Sequence, residues 1–406
     1  MKKFENIIIL AAGRSTRFWP LDDKNMVKFL GKPLLLYQIE KLKPYTKKVL
    51  IIVSKKNIDS ITKAVSSFQN IHIILQKGDG QASALLSVND EALGETLVVN
   101  NIDVFNEKVI FTQIFKQRDK YELILTAKEM KKYFPGGYLR YKKNQVLELI
   151  EKPKPEKRPS NMVSLVVDYF ANFSEFIDVL KSLKNPAKDG AFEEGLNIYL
   201  KKVKAIFINY QDYWYFLKYP WHVLSLKYFF LSQVKKHVGK NVFLDKTAKI
   251  EGDVYLEDGV KIYEHSKIVG PCYIGKNTIV GNYSLIKESM IGENCLIGGY
   301  SEVTRSYLGN KVYLHRNYLG DSVIENNVLF GAGAVCANFR FDEKEIHSSV
   351  NGDMINCQRN KLGAIIGSNV KIGVNSSLMP GIKIVANSIV MPNSIVLKDI
   401  KRSVLK

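Results

Sequence analysis

The sequence predicts two domains of different fold class, an α/β domain with a doubly wound parallel sheet followed by a parallel β-helix. The first prediction depends on apolar runs that alternate with helix-like segments through the first half of the chain. The second depends on a repeat of one apolar residue in six that begins after Asn241. We place the two domains at residues 1–235 and 236–406, with a helical connector near residues 220–240.

The apolar runs of the first domain have the length of buried strands, and they lie at residues 7–9, 48–53, 71–75, 96–99 and 123–126. Residues 34–42 have helical spacing instead. In doubly wound sheets, ligands bind where the strands end at their carboxyl termini. The loops that leave these runs are therefore the first places to look for functional residues.

The repeat of the second domain has a six-residue period. A single strand would place apolar residues at every second position, whereas here the intervening positions are often Gly, Asn, Lys or Glu. This spacing is typical of a β-helix in which each coil stacks one apolar residue per face on the next coil. The repeat consists of Ile250, Leu256, Ile262, Ile268, Ile274, Val280 and Ile286, and later of Ile366, Ile372, Leu378, Ile384, Val390 and Val396.

Composition narrows the class of protein. The 406 residues carry a formal charge of +19, which favours anionic partners such as nucleotides and sugar phosphates. Lysine and arginine are scattered among acidic residues without a groove-reading motif, so we predict no nucleic-acid partner. Residues 213–231 are interrupted by charged side chains, so we predict no membrane span. The four cysteines show no CxxC spacing, which indicates neither disulfides nor zinc and favours a cytoplasmic protein.

The segment LAAGRSTRFWPLDDKNMVK, residues 10–28, has the features of a phosphate-handling loop. Small residues let backbone N–H groups approach phosphate oxygens, and basic residues add positive charge. The segment resembles the sugar-1-phosphate nucleotidylyltransferase signature L-A-A-G-x-G-T-R-x-x-P-x(n)-P-K, with Ser15 at the second Gly and Val27 at the second Pro. The resemblance implies a Rossmann-like nucleotidyltransferase fold, nucleotide binding by Leu10, Ala11, Ala12 and Gly13, and catalytic roles for Arg17 and Lys28.

Three later segments resemble further elements of the same family. QKGDGQASA resembles the base-recognition loop, which implies that Gln76, Gly80 and Ala82 bind nucleotide. NNID resembles the element whose carboxylate holds Mg²⁺, which implies that Asp103 is the metal ligand. Two short motifs resemble the sugar-contacting elements, and they imply that Gly137, Glu151 and Lys152 bind the sugar phosphate.

Two further positions depart from the family pattern. Val166 aligns with the Gly of an N-A-G element near the sugar, and Phe216 aligns with the Asp that is the second metal ligand. A phenyl ring cannot ligate magnesium.

In the second domain, HRNYLGD at residues 315–321 is followed by GAG at 331–333 and AN at 337–338. These motifs resemble the acetyltransferase half of the bifunctional N-acetylglucosamine-1-phosphate uridylyltransferase and glucosamine-1-phosphate acetyltransferase family, especially its archaeal type. The resemblance implies a left-handed helix, a homotrimer and acetyl-CoA as co-substrate. It implies His315 as general base, Tyr318 and Asn338 as sugar contacts, Lys344 and Arg305 as phosphate contacts, and Ala332 as an acetyl-CoA contact.

The predicted activity is therefore twofold. The first domain would convert a nucleoside triphosphate and a sugar-1-phosphate into pyrophosphate and a nucleotide sugar similar to UDP-N-acetylglucosamine. The second would transfer an acetyl group from acetyl-CoA to an amino sugar-1-phosphate, with a histidine accepting the proton of the amine. Two alternatives stay open: an acetyltransferase with a degenerate first domain, and a non-catalytic subunit that binds a sugar nucleotide.

Overall fold

The computed structural model describes residues 2–88, 91–92 and 94–402. The chain forms two compact units, the first made of Met1–Arg14 and Leu34–Tyr215 and the second of Ser15–Pro33 and Phe216–Lys406. This division differs from the predicted domains, because residues 15–33 and 216–235 lie in the second unit. We call residues 15–33 the signature segment.

The part of the chain before the β-helix contains the following elements. Its strands are β1 (Phe4–Leu10), β2 (Lys28–Phe29), β3 (Lys32–Pro33), β4 (Thr46–Val53), β5 (Ile71–Leu75), β6 (Thr96–Asn100), β7 (Asp103–Phe105), β8 (Leu123–Glu129), β9 (Gly137–Lys142), β10 (Gln145–Glu151), β11 (Met162–Ser164), β12 (Val167–Phe170), β13 (Ala205–Asn209) and β14 (Trp214–Phe216). Its helices are α1 (Leu34–Leu42), α2 (Ile58–Val65), α3 (Gly80–Leu86), α4 (Glu107–Gln117), α5 (Phe173–Lys181), α6 (Ala191–Tyr199) and α7 (His222–Leu231).

The first unit is built on one sheet of ten strands in the order β11-β9-β10-β13-β8-β12-β6-β1-β4-β5. Strands β6, β1, β4 and β5 are parallel, as the sequence predicts. The sheet is nevertheless mixed, because β12 runs antiparallel between β6 and β8, and β9 to β11 pair antiparallel. Parallel pairing is therefore continuous from β6 to β5, and it recurs between β13 and β8.

The second unit contains a β-helix with three faces, each a parallel sheet of eight strands. The first face is formed by His237–Val238, Val254–Leu256, Cys272–Ile274, Met290–Ile291, Tyr307–Leu308, Val323–Ile324, Ile365–Ile366 and Lys383–Ile384. The second is formed by Phe243–Leu244, Lys261–Ile262, Ile279–Val280, Leu296–Ile297, Val312–Leu314, Val328–Phe330, Lys371–Ile372 and Ile389–Val390. The third is formed by Lys249–Glu251, Lys267–Val269, Leu285–Lys287, Glu302–Thr304, Tyr318–Gly320, Val335–Cys336, Ser377–Leu378 and Ile395–Val396.

The predicted six-residue repeat fills the core of this β-helix, and all of its members are buried there or packed against the buried residues. The repeat fades after Ile286 because later coils are shorter. Ile286 pairs with Val303, 17 residues on, and Val303 pairs with Leu319, 16 residues on. Strand stacking thus continues where the sequence period is lost.

Residues 337–362 leave the β-helix as one excursion before the coils resume at Ile365–Ile366. Leu362 N donates a hydrogen bond to Asn338 O at 2.9 Å, which joins the two ends of the excursion. Its outer part contains an antiparallel hairpin of His347–Val350 and Asp353–Asn356. Among the residues that the structure describes, no helix has the length and apolar character needed to cross a membrane.

Candidate functional site

The carboxyl ends of β1 and β6 lie side by side in the first unit, since Leu10 pairs with Asn100. The N–H of Asn101 donates to Leu10 O at 3.3 Å, so the loop that follows β6 starts against the end of β1. This loop leads directly to Asp103, which is buried and begins β7. The structure thus brings the predicted phosphate loop, residues 10–13, and the predicted metal ligand to the same edge of the sheet.

Two buried amide side chains that sequence reasoning missed fix the backbone at this edge. Asn57 Nδ2 donates to Ala11 O at 2.9 Å. Gln38 Nε2 donates to Asn101 O at 3.1 Å and also to Asp103 O. The signal for Gln38 was available in the sequence, because it is a polar residue on the buried face of α1.

The loop after β5 is shaped by its own predicted residues. Gln76 Nε2 donates to Gly78 O at 2.8 Å and Gly80 O at 3.2 Å, so this amide group stabilises the loop. Gly80 has a φ of +83°, a left-handed conformation that glycine adopts without steric cost. Ala82 is buried in α3, and Asp79 forms an ion pair with Arg14.

The backbone retains a glycine-like conformation at both positions where the family has glycine. Ser15 has a φ of 57° and Val166 a φ of 51°. A β-branched residue in this region is a genuine outlier, and such strain costs about 1–3 kcal/mol. Val166 O accepts a hydrogen bond from Asn100 N at 3.2 Å, so the strained residue contacts the end of β6. The strain supports the alignment of Val166 with the family glycine.

The predicted sugar-contacting residues meet on the hairpin of β9 and β10, where Gly137 pairs with Glu151. A Cβ on Gly137 would lie 2.9 Å from Leu149 Cδ1, so a larger residue here would have to displace the Leu149 side chain. Lys152 Nζ lies 2.9 Å from Glu151 Oε1 and 3.5 Å from Asp189 Oδ2. The lysine charge is therefore held between two carboxylates.

The sequence analysis missed two further acidic residues, Glu193 beside this hairpin and Asp168 of β12, which interacts with Glu193. Asn197 of α6 bonds through its side-chain amide to the backbone N and O of Leu149, which anchors the helix against β10. Glu193, one turn earlier, has its pKa raised to about 7 by burial and by the Glu151 charge. Burial, with a smaller effect of Glu193, raises the pKa of Asp168 to about 8.

The predicted catalytic residues Arg17 and Lys28 lie in the second unit. Arg17 belongs to a single 3₁₀ turn, Thr16–Phe18. Lys28 begins β2, and its Nζ lies 3.5 Å from Glu293 Oε1 with both side chains partly exposed. Phe216 packs edge-on against His222, with ring centroids 4.8 Å apart, and burial lowers the pKa of that histidine to about 3.

Hydrogen bonds centred on Asp321 link three predicted sugar-site residues of the β-helix, Arg305, Tyr318 and Asn338. The sequence analysis treated Asp321 only as part of a motif. Arg305 and Asp321 occupy the same corner of successive coils, where the third face turns into the first. Arg305 donates through Nε and Nη2 to the two Asp321 oxygens at 2.9 and 2.8 Å. Asn338 Nδ2 donates to Asp321 Oδ2 at 2.6 Å, and Tyr318 Oη donates to Asn338 Oδ1 at 3.4 Å.

Gly320 makes this arrangement possible. A Cβ at this position would lie 2.6 Å from Tyr318 Oη and would also clash with the Asn338 amide. The glycine therefore leaves room for both polar groups directly over the strand. Arg305 is thus paired with a buried carboxylate in this structure, its side chain remaining 25% exposed.

His315 is exposed and lies in the corner between Val312–Leu314 of the second face and Tyr318–Gly320 of the third face. The buried Asn317 holds this corner: its Oδ1 accepts from His315 N at 2.8 Å, and its Nδ2 donates to Gly331 O at 2.8 Å. Gly333 N donates to Arg316 O at 2.9 Å, so the corner that contains Ala332 stacks on the His315 corner. The structure thus brings together the predicted general base and the predicted acetyl-CoA contact.

Lys344 lies apart from these contacts, on the exposed excursion of residues 337–362. Its N–H donates to Asp342 Oδ1 at 3.4 Å, and Asp342 also forms an exposed ion pair with Arg340 at 2.6 Å.

Comparisons with known proteins decide the family. The family model described as "Nucleotidyl transferase" matches residues 6–215, and that of "Hexapeptide repeat of succinyl-transferase" matches residues 363–398. The chain is 33% identical over 405 residues to a bifunctional sugar-1-phosphate nucleotidylyltransferase/acetyltransferase of Sulfurisphaera tokodaii, covering 97% of both chains. The chain belongs to the family of bifunctional nucleotidylyltransferase/acetyltransferases.

Other relatives agree with this assignment. The chain is 30% identical over 418 residues to the bifunctional protein GlmU of Methanococcus maripaludis, covering 97% of this chain and 95% of that protein. It is also 30% identical over 422 residues to GlmU of Methanocaldococcus jannaschii, with the same coverage. A Bacillus anthracis structure assigned as a glucose-1-phosphate thymidylyltransferase matches 58% of this chain and 98% of its own length at a TM-score of 0.51 and 17% identity. That likeness shows the fold alone.

These findings confirm the predicted fold class, a doubly wound α/β domain followed by a left-handed parallel β-helix. They also confirm that the chain is an enzyme of the nucleotidyltransferase/acetyltransferase class. The bifunctional interpretation is favoured over the two alternatives. The individual site residues stay predictions.

Proposed function

We propose that the first activity is attack of a sugar-1-phosphate oxygen on the α-phosphate of a nucleoside triphosphate, which releases pyrophosphate and a nucleotide sugar similar to UDP-N-acetylglucosamine. The proposal is supported by the full-length relatives and by the position of the phosphate loop beside Asp103. In this proposal residues 10–13 form the loop beside the triphosphate; Ala11 N already donates to Ile52 O at 2.9 Å, so the N–H groups that follow it are the ones proposed to face the phosphates. Arg17 and Lys28 offset the negative charge that grows during transfer.

The residues present fit a magnesium ion that arrives with the triphosphate. Among the described residues, no group of three or more His, Cys, Asp or Glu side chains is placed to hold a metal. Magnesium in nucleotide sites is usually bound by one or two carboxylates, with phosphates and waters as the other ligands. Asp103 would supply the carboxylate, and the ion would neutralise phosphate charge.

Sugar recognition in this proposal falls to the β9–β10 hairpin. Glu151 accepts hydrogen bonds from sugar hydroxyls, and Lys152 leaves its carboxylate partners to meet the sugar phosphate. The loop that carries Gln76 and the start of α3, with Gly80 and Ala82, receive the base in this proposal. Incubating the protein with each triphosphate, magnesium and a panel of sugar-1-phosphates, and measuring pyrophosphate, tests this activity and names the base and the sugar.

We propose that the β-helix transfers an acetyl group from acetyl-CoA to the amine of an amino sugar-1-phosphate. His315 accepts the amine proton as nitrogen attacks the thioester carbonyl, and the coenzyme A thiolate leaves. Tyr318 and Asn338 hold the sugar, Lys344 and Arg305 meet its phosphate, and Ala332 lies against the acetyl-CoA. The supporting observation is the stacking of the Ala332 corner on the His315 corner, held by Asn317.

The decisive variant for this second activity is His315→Ala. Loss of a general base lowers rates by about 10²–10⁴. We expect that loss in acetyl transfer, measured as coenzyme A release, while pyrophosphate formation continues. An intact variant that acetylates at the wild-type rate would remove His315 from the mechanism.

We also propose that the protein is a homotrimer, because the stacked coils present long faces suited to symmetric association. We propose a cytoplasmic location on the separate ground that the four cysteines show no CxxC spacing. Light scattering at micromolar concentration measures the mass directly. A monomeric mass would contradict this assembly.

A further inference from the structure

The signature segment lies along the first face of the β-helix, and its contacts follow the coils in order. Tyr273, Met290, Tyr307, Val323, Ile365 and Lys383 occupy one register position on six successive coils of this face. The segment contacts each of these coils in turn. From the last coil to the first, with the β-helix residue named first, the pairs are Lys383–Trp19, Gly367–Pro20, Glu325–Asp22, Tyr307–Lys28, Met290–Leu30 and Tyr273–Gly31. The segment therefore runs from coil to coil along this face, across its strands.

Two of these contacts are well-formed hydrogen bonds to the backbone of the segment. Tyr307 Oη donates to Lys28 O at 2.9 Å. Asp22 N donates to Glu325 Oε1 at 2.8 Å, and the other Glu325 oxygen accepts from Ser368 N and Oγ, both at 3.0 Å. The Ser368 bonds orient the carboxylate that holds Asp22.

Aromatic packing adds to the hold on the segment. Phe29 is fully buried, and its ring stacks on Phe230 with centroids 4.8 Å apart. The Tyr307 ring lies 6.0 Å from Phe29, so one tyrosine both packs against Phe29 and bonds to the residue before it. Burial of a phenylalanine side chain contributes about 1.5–3 kcal/mol to stability.

The segment has little regular structure with which to fix its own position. It contains one 3₁₀ turn, Thr16–Phe18, and a hairpin in which β2 and β3 contribute two residues each. Segments of this kind depend on outside contacts for their geometry. Those contacts include Tyr307, which lies 279 positions after Lys28 in the sequence.

The backbone of Lys28 is fixed, whereas its ammonium group is only weakly engaged. The Nζ to Glu293 Oε1 distance is 3.5 Å, and the two side chains are 41% and 33% exposed. Ion pairs of this kind contribute little and are easily exchanged for another anion. A fixed backbone with an available ammonium suits a lysine that must meet a phosphate.

We propose that Tyr307 and Glu325 of the β-helix are positioning residues for nucleotidyl transfer, because they hold the segment that carries Arg17 and Lys28. The inference rests on the proposed roles of these two basic residues. In this proposal the β-helix supports the nucleotidyl-transfer site structurally, in addition to carrying the proposed acetyl-transfer site.

The test compares Tyr307→Phe and Glu325→Gln with the matched control Tyr263→Phe. Tyr263 is a β-helix tyrosine whose ring packs on Phe243 at 5.6 Å. Four quantities are measured: kcat/KM for pyrophosphate formation, the rate of acetyl transfer, the melting temperature, and deuterium exchange of peptides from residues 15–33.

Loss of one hydrogen bond at Tyr307 should lower kcat/KM for pyrophosphate formation about three- to tenfold. Exchange within residues 15–33 should accelerate, while acetyl transfer and the control variant keep wild-type values. Glu325→Gln should act in the same direction.

The possible failures are distinguishable. The positioning role alone would be refuted if both variants formed pyrophosphate at the wild-type rate. It would also be refuted if the rates of pyrophosphate formation and acetyl transfer fell equally. A wild-type protein that releases no pyrophosphate with any triphosphate would refute the proposed first activity, and the inference with it.

Discussion

Removal of the Asp321 carboxylate should destabilise the β-helix far more than removal of a chemically similar carboxylate nearby. Asp321 accepts two hydrogen bonds from Arg305 and one from Asn338, and its side chain is 6% exposed. Breaking a buried pair by removing one partner costs about 3–5 kcal/mol. The Arg305 side chain is 25% exposed and regains some hydration, so the lower end of that range applies.

Asp342 supplies the control, because it forms the same two-bond pair with Arg340 at 2.8 and 2.6 Å on the exposed excursion. A loss of about 3 kcal/mol corresponds to a melting shift of roughly 6–12 °C for a unit of this size. Calorimetry on Asp321→Ala should show that shift in the β-helix transition, and Asp342→Ala should show no measurable shift.

Asp321→Ala should also slow acetyl transfer, because Arg305 and Asn338 lose their common partner. Should Asp321→Ala fail to fold, Asp321→Asn keeps the shape and retains one acceptor oxygen for the same comparison. Equal shifts for the Asp321 and Asp342 variants would refute the reasoning, as would wild-type acetylation by Asp321→Ala.

Four further predictions follow from single positions. Val166→Gly should raise stability by roughly 0–2 kcal/mol in thermal denaturation, since relief of left-handed strain exceeds the entropy cost of glycine; a clear loss would contradict the strain. The folded pKa of Asp168 is about 8, against about 4 when unfolded, so wild-type stability should fall as pH rises between these values. Asp168→Asn should reduce that fall without removing it, because Glu193, with its pKa raised to about 7, contributes in the same direction; an unchanged pH profile would count against the prediction. Gly320→Ala should slow acetyl transfer but not pyrophosphate formation, because its Cβ would lie 2.6 Å from Tyr318 Oη. Phe216→Asp should restore a metal contact that typically contributes about a hundredfold in rate, and a lower rate or magnesium affinity would disprove the alignment.

The sequence by itself determined the fold class and most of the core. The helix predicted at residues 34–42 is α1, Leu34–Leu42, and the strand predicted at residues 71–75 is β5, Ile71–Leu75. The six-residue repeat identified buried positions such as Ile268 and Ile372. Each helix, strand or coil must bury its own apolar face. Burial therefore produces a periodic pattern of apolar residues that is visible within a short stretch of sequence.

Part of the candidate site was also predictable, because phosphate loops and strand ends follow each other closely in the chain. Leu10 ends β1 and Asp103 follows shortly after β6; the apolar runs had marked both strands, and their parallel pairing brings these residues to one edge of the sheet. The motif around His315 likewise lies on one corner of one coil. Short-range order was sufficient for these residues.

Only the tertiary structure decided which distant residues meet. The Arg305–Asp321–Asn338 contact depends on coils of 16 and 17 residues, because the summed length of each coil sets which corner stacks on which. The path of the signature segment along the first face is equally non-local, since Lys28 meets Tyr307 only after several coils have stacked in register. A period in the sequence records that a residue is buried, but contacts between polar side chains depend on the accumulated geometry of everything between them.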